Sequence, residues 1–192
     1  MIALCFFFFL PAGTIWFSIP SVLANYYYPY AKRHTSIPQV ILGVALQWAV
    51  VVGHASMGGT NAWTDPSVLS LFSAALLWTV VYDTVYGFQD YDQDVKLGVG
   101  STAVLFGRSL GRPILWFFSN GVVAFLIAAG YFVGMTRAYY AVAAGGSFAS
   151  LNAMVASVDL ASPESCAWWF VYGFWGPGLS ISLGLLVEKA LH

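Results

Sequence analysis

The chain reads as long apolar runs cut by short polar breaks. After an apolar stretch at residues 1–10, ended by Pro11, six runs follow at roughly 12–30, 38–56, 67–88, 113–134, 138–158 and 167–187. Each approaches the length of about 20 residues that a helix needs to cross a bilayer. The runs are continuous rather than alternating, which predicts helices and excludes the short two-faced strands of a membrane barrel. The breaks at 34–38, 58–66, 107–113 and 159–163 carry glycine, proline and other turn formers, so consecutive helices are expected to run antiparallel. The first stretch is too short to cross and reads as the tail of a helix. The pattern predicts an all-α integral membrane bundle: one domain over residues 1–192, with about six full transmembrane helices and an N-terminal partial helix.

Composition supports a lipid environment. The chain is 59% hydrophobic and only 8% charged, against roughly 25% charged in a soluble domain. Its mean hydropathy is +0.76. A net charge of −1 gives no basic footprint and excludes nucleic acid as a partner. The two cysteines, Cys5 and Cys166, sit in apolar runs and make no metal framework. If the six spans alternate, Lys32, Arg33, Lys96, Arg108 and Arg112 share one side, leaving Arg137 and Lys189 on the other. The positive-inside rule makes the first side cytoplasmic, or its topological equivalent.

The acidic residues are equally lopsided. Asp83, Asp90, Asp92 and Asp94 crowd the end of the third span. Were the helix to continue through Asp94, Asp83 and Asp90 would lie within about 20° of one another, Asp94 about 20° to the other side, and Asp92 opposite. Three carboxylates on one stripe repel unless they share protons or a cation. An all-oxygen set of this kind suits Mg²⁺, typically held by one or two carboxylates plus substrate phosphates.

A second cluster, YPYAKRHT at residues 28–35, lies on the same expected side. Tyr28 and Lys32 are four apart and share a helical face if Pro29 is accommodated, as proline is in membrane helices. Such a pair serves as an interfacial anchor. It also offers a cation to a metal-bound diphosphate.

These segments resemble the UbiA-type aromatic prenyltransferases. Residues 82–107, YDTVYGFQDYDQDVKLGVGSTAVLFG, are similar to that family's second aspartate-rich motif, matching it at Tyr82, Asp83, Thr84, Tyr86, Asp90, Asp94, Gly98, Ser101, Thr102, Ala103, Phe106 and Gly107. Residues 28–43, YPYAKRHTSIPQVILG, resemble a second family motif, YPxxKRxTxxPQxxLG. The resemblance implies a UbiA-like helical bundle that transfers a prenyl group from its diphosphate to an aromatic acceptor such as a hydroxybenzoate or a phenolic polyketide, in ubiquinone-type or meroterpenoid biosynthesis. It implies Mg²⁺ as cofactor, with Asp90 and Asp94 as metal ligands. Asp83 would support the site or take up the acceptor's proton. Tyr28 and Lys32 would contact the diphosphate, with Arg33 nearby. Aromatic side chains would shield an allylic cation by cation–π contacts.

The chain departs from the family pattern in two main ways. The family's first aspartate motif, approximately NDxxDxxxD, is absent from these 192 residues, and Gly100 stands where the family usually carries lysine. The expectation is therefore an N-terminally truncated relative, corresponding to about the last two thirds of a family member. Two alternatives follow: a catalytically inactive relative, or a cation- or proton-coupled transporter using Asp83, Asp90 and Asp94 as a relay. An internal repeat or broken half-helices would favour a transporter, and the sequence displays neither. His54 and Asn152, both within spans, read as a hydrogen-bonded histidine and a polar contact between helices.

Overall fold

The computed structural model describes residues 12–191. The apolar stretch at 1–10, Cys5 and the expected partial helix lie outside the described residues. Every regular element among the described residues is a helix. α1 is Ala12–Ala31, α2 Pro38–Gln47, α3 Ala49–Ser56, α4 Pro66–Gly87, α5 Tyr91–Leu97 and α6 Thr102–Val133. A short α7 (Arg137–Tyr139) passes through a π-helical turn at Tyr140–Ala144 into α8 (Gly145–Ser157). α9 (Pro163–Trp168) likewise passes through a π-helical turn at Trp169–Gly173, and α10 is Trp175–Leu191.

Among the described residues, four stretches are long and apolar enough to cross a membrane: Pro38–Ser56, Pro66–Gly87, Thr102–Val133 and Pro163–Leu191. The expected count of six is not reached by length and hydropathy alone. α1 spans 20 residues but spends several of them on tyrosines, serines, Asn25 and two prolines. Pro29 is accommodated inside α1.

Two sequence expectations need correction. The break at 107–113 is not a loop. The helix starts at Thr102 and runs on to Val133, with only Gly107 leaving helical geometry (φ 63°, ψ 174°). That positive φ, natural for glycine, kinks the helix instead of ending it. The helix carrying Asp83 does not continue through Asp94. It stops at Gly87, and α5 starts afresh after Asp90. Phe88 makes the break: it is 1% exposed, stacks on Tyr91 at 5.8 Å and fills the space that a Cβ on Gly111 would occupy.

α4 is the central helix, packed chiefly on α6 and α2. Its Tyr82 is buried, and the hydroxyl donates to the Gly173 carbonyl at 2.7 Å, at the end of a π-helical turn. Small residues bring α10 onto the 140–157 segment, with Gly184 against Ala143 and Gly146 against Ser180. Asn152 donates to Phe148 of its own helix at 2.7 Å, so it does not bridge helices as the sequence suggested. His54 is hydrogen-bonded as expected, to Asn61 at 3.1 Å.

The charges separate by end. At one end Arg108 pairs with Asp92 at 3.1 Å. Arg112 caps the end of α8 by donating to the carbonyls of Val155, Ala156 and Val158 at 2.6, 2.9 and 2.7 Å. At the other, Glu188 of α10 accepts from the amide and hydroxyl of Thr136 at 2.8 and 2.7 Å.

Two glycines close the end that bears Asp92 and Arg108. Gly98, in the left-handed region (φ 65°), terminates α5. Gly100 donates its amide to the Lys32 carbonyl at 3.2 Å, and a Cβ there would fall on the Thr35 carbonyl. Only glycine permits the loop after α5 to lie against the turn after α1. Gly100→Ala is therefore expected to destabilise the protein by about 1–3 kcal/mol, read as a lower thermal midpoint in detergent. A wild-type midpoint would contradict the close approach.

Asp65 caps α4 by accepting from Ser67 and Val68 amides at 2.8 and 3.4 Å and from the Ser67 hydroxyl at 2.6 Å. The Ser67 hydroxyl chiefly holds its carboxyl below the usual range, with the amide bonds adding to the effect. A depressed folded pKa gives stability that is present above the unfolded value and fades as pH falls through the folded one. Asp65→Ala should cost about 1 kcal/mol near neutrality, with a deficit that shrinks in strong acid. A pH-independent deficit would rule out the carboxylate as its source.

Candidate active site

Five of the six residues singled out by sequence meet in one place. Tyr28 and Lys32 from the end of α1, Asp83 from α4, and Asp90 and Asp94 from the start of α5 line a polar pocket, together with Gln39, Tyr86, Gly87 and Ser101. The pocket encloses about 30 Å³, roughly the share of a single water. A larger ligand would extend from it across Lys32 and Asp90, which are both exposed. Arg33 is also exposed, lines no part of this pocket, and so stands apart from the other five.

The carboxylates converge although the helix between them is broken. The turn at Phe88 replaces the assumed continuous helix, yet Asp83, Asp90 and Asp94 still face the same pocket. Asp92 points away, as the helical count expected, and its side chain is 68% exposed where it pairs with Arg108. Arg108 also lies over the Tyr91 ring at 4.9 Å, fixing the outer side of α5. Burial pushes the Asp94 carboxyl above its ordinary range; Lys32 opposes this shift and Asp90 adds to it.

A buried polar ladder, unmarked by charge and so missed in the sequence, holds these elements in register. Gln39 at the start of α2 accepts from the Thr102 amide at 3.0 Å. The Thr102 hydroxyl meets that of Thr84 at 2.6 Å, and Thr84 donates to the Val80 carbonyl at 2.6 Å. Thr84 has one proton, so Thr102 is the donor between the two. The ladder fixes α4 one residue from Asp83, and it caps an orphan amide of α6. The signal that marks Gln39 is its place in the PQ pair of the 28–43 motif.

Among the described residues, no three histidine, cysteine or acidic side chains converge closely enough to hold a metal by themselves. Asp90 and Asp94 are nonetheless hard oxygen donors at one pocket. That set fits a Mg²⁺ whose remaining ligands are phosphate oxygens and water.

Two larger, more open cavities lie along the helices away from this pocket. One, of about 380 Å³, is lined by Ala75, Trp78, Phe174 and Ile181 among others. The other, of about 320 Å³, runs on to Val133 and Met135. They share Val50, Leu71 and Leu185 and are mainly apolar. Trp78 stacks on Phe174 at 4.7 Å, and Tyr86 meets Phe170 at 4.7 Å with the rings tilted, so an aromatic wall leads from the polar pocket toward the apolar space.

Comparison with known proteins agrees with this architecture. The family model described as "UbiA prenyltransferase family" matches residues 1–177. The chain is 38% identical over 180 residues to a 4-hydroxybenzoate octaprenyltransferase of Alkalilimnicola ehrlichii, covering 93% of this chain and 59% of that protein. It is 35% identical over 186 residues to the protein of that name in Pseudomonas entomophila, covering 94% and 59%. It is 37% identical over 175 residues to a mitochondrial 4-hydroxybenzoate polyprenyltransferase of Arabidopsis thaliana, covering 90% and 41%. The chain thus spans 59% or less of the length of these relatives. No solved structure matches it. The chain belongs to the UbiA prenyltransferase family, among relatives of the 4-hydroxybenzoate prenyltransferases.

Proposed function

We propose that this protein transfers a prenyl group from a prenyl diphosphate to an aromatic acceptor of the hydroxybenzoate or phenolic type, in ubiquinone-like or meroterpenoid synthesis. The observation that carries the reading is the meeting of Tyr28, Lys32, Asp83, Asp90 and Asp94 at one pocket. The names of the relatives favour 4-hydroxybenzoate as the acceptor. The bundle is read as one domain with six crossings, adding α1 and the 137–157 segment to the four long apolar stretches. The polar pocket then faces the cytoplasm or its equivalent, by the bias of basic residues.

In this reading Tyr28 and Lys32 bind the diphosphate from α1, and Arg33 adds positive charge at the rim. Asp90 and Asp94 would hold Mg²⁺, which when bound neutralises charge on the departing diphosphate. The apolar cavities take the prenyl tail. The C–O bond of the donor breaks, its electron pair leaves with the diphosphate, and an allylic cation remains beside the aromatic wall. A π pair of the acceptor ring forms the new C–C bond to that carbon. The ring proton passes to the Asp83 carboxylate, which restores aromaticity.

Two outcomes test the assignment. Asp90→Asn or Asp94→Asn, assayed with radiolabelled prenyl diphosphate and 4-hydroxybenzoate, should lower Mg²⁺-dependent turnover by about 10²-fold or more. Retained turnover in both would remove them as metal ligands. Lys32→Ala should raise KM for the prenyl diphosphate by about tenfold or more, with KM for the acceptor little changed. An unchanged donor KM would remove Lys32 from the diphosphate site.

A further inference from the structure

We propose that the side-chain amide of Gln39 is a further substrate contact of this pocket, an N–H donor to the diphosphate group of the prenyl substrate. The assignment rests on the prenyl-transfer reading above. Gln39 is only 2% exposed. Its Oε1 accepts from the Thr102 amide at 3.0 Å, which decides which end of the carboxamide is oxygen and which is nitrogen. Nε2 therefore turns away from α6, and the side chain lines the pocket beside Lys32, Asp83, Asp90 and Asp94. Gly87 lies beside it: a Cβ there would stand 3.8 Å from Nε2, in ordinary contact.

Among the described residues, Gln39 makes no hydrogen bond through Nε2. Nε2 is not a sealed-in orphan; it is an amide donor at the pocket with no protein acceptor. A donor that borders a small polar pocket is completed by what enters the pocket. The three carboxylates are within the same enclosure, yet none accepts from Nε2. An oxygen-rich anion placed between them and Lys32 supplies the missing acceptor. The two donors divide the task. Lys32 is an exposed, flexible point charge. Gln39 is held by packing and by Thr102, so it adds direction: it sets which phosphate oxygen faces α2 without adding net charge.

The test uses the whole chain purified in detergent and binding of inorganic pyrophosphate with Mg²⁺. Gln39→Met removes the donor without adding charge, and should weaken binding by about tenfold at about pH 8. Gln39→Glu keeps an oxygen for Thr102 and preserves the ladder should the Met variant fail to fold. Ionised, it should bind pyrophosphate worse than wild type. At about pH 5 a buried glutamate regains its proton and offers an O–H donor, so its affinity relative to wild type at the same pH should recover. Binding by Gln39→Met within about twofold of wild type, or a Glu variant whose relative affinity stays low at both pH values, overturns the assignment. So does a loss confined to KM for the aromatic acceptor. If wild type binds pyrophosphate and Lys32→Ala loses it while Gln39→Met keeps it, the Gln39 contact alone fails. If wild type binds none, the prenyl-transfer reading fails with it.

Discussion

The amide of Thr102 has its partner in the Gln39 side chain, at 3.0 Å, and the arrangement of the active end depends on that bond and its neighbours. It joins the start of α2 to the start of α6. The Thr102–Thr84 contact at 2.6 Å carries the link to α4, next to Asp83. Gly100 completes the frame by pressing the loop after α5 onto the turn that bears Lys32. Every link is neutral, which suits a low-dielectric interior: hydrogen bonds are strong there, and a charge used as a strut would carry a desolvation cost. Lys32, Asp83, Asp90 and Asp94 meet at the pocket itself, where in the proposed function a charged ligand and a metal would offset them.

The same economy of charge organises the whole bundle. Two basic residues outside the pocket brace helix ends: Arg112 on the carbonyls that end α8, and Arg108 on Asp92 and the face of Tyr91 at the start of α5. Between the ends, small residues and aromatic stacking do the packing. The larger apolar cavity, between α4 and α10, is lined by Trp78 and Phe174 where they stack. A ligand with a polar head and a long apolar tail matches that sequence of environments.

Much of this was legible in the sequence because charge is so scarce. Asp83, Asp90 and Asp94 stand out in an apolar chain, and their spacing placed them together and turned Asp92 outward. The spacing argument succeeded for a partly wrong reason: the helix between Asp83 and Asp90 is broken, and the turn at Phe88 restores the convergence. Local periodicity does not reveal such a turn, which depends on Phe88 finding space over Gly111, far along the chain. The kink at Gly107 looked like a loop because a glycine followed by a proline signals a stop, whereas tertiary packing carries α6 through both. Gln39 and the threonine ladder were invisible because neutral polar residues acquire meaning only when their partners are known. Arg33 illustrates the converse: its neighbour Lys32 reaches the pocket, and it does not.

The central claim is that Asp90 and Asp94 hold a divalent cation jointly with a diphosphate rather than alone. Electron paramagnetic resonance of Mn²⁺, added in place of Mg²⁺ to the detergent-purified chain, tests it most directly. Because no three acidic side chains among the described residues come close enough to hold a metal by themselves, Mn²⁺ alone should bind weakly. Pyrophosphate should bring on tight binding, which Asp90→Asn abolishes. Tight binding without pyrophosphate, or none in its presence, would contradict the account.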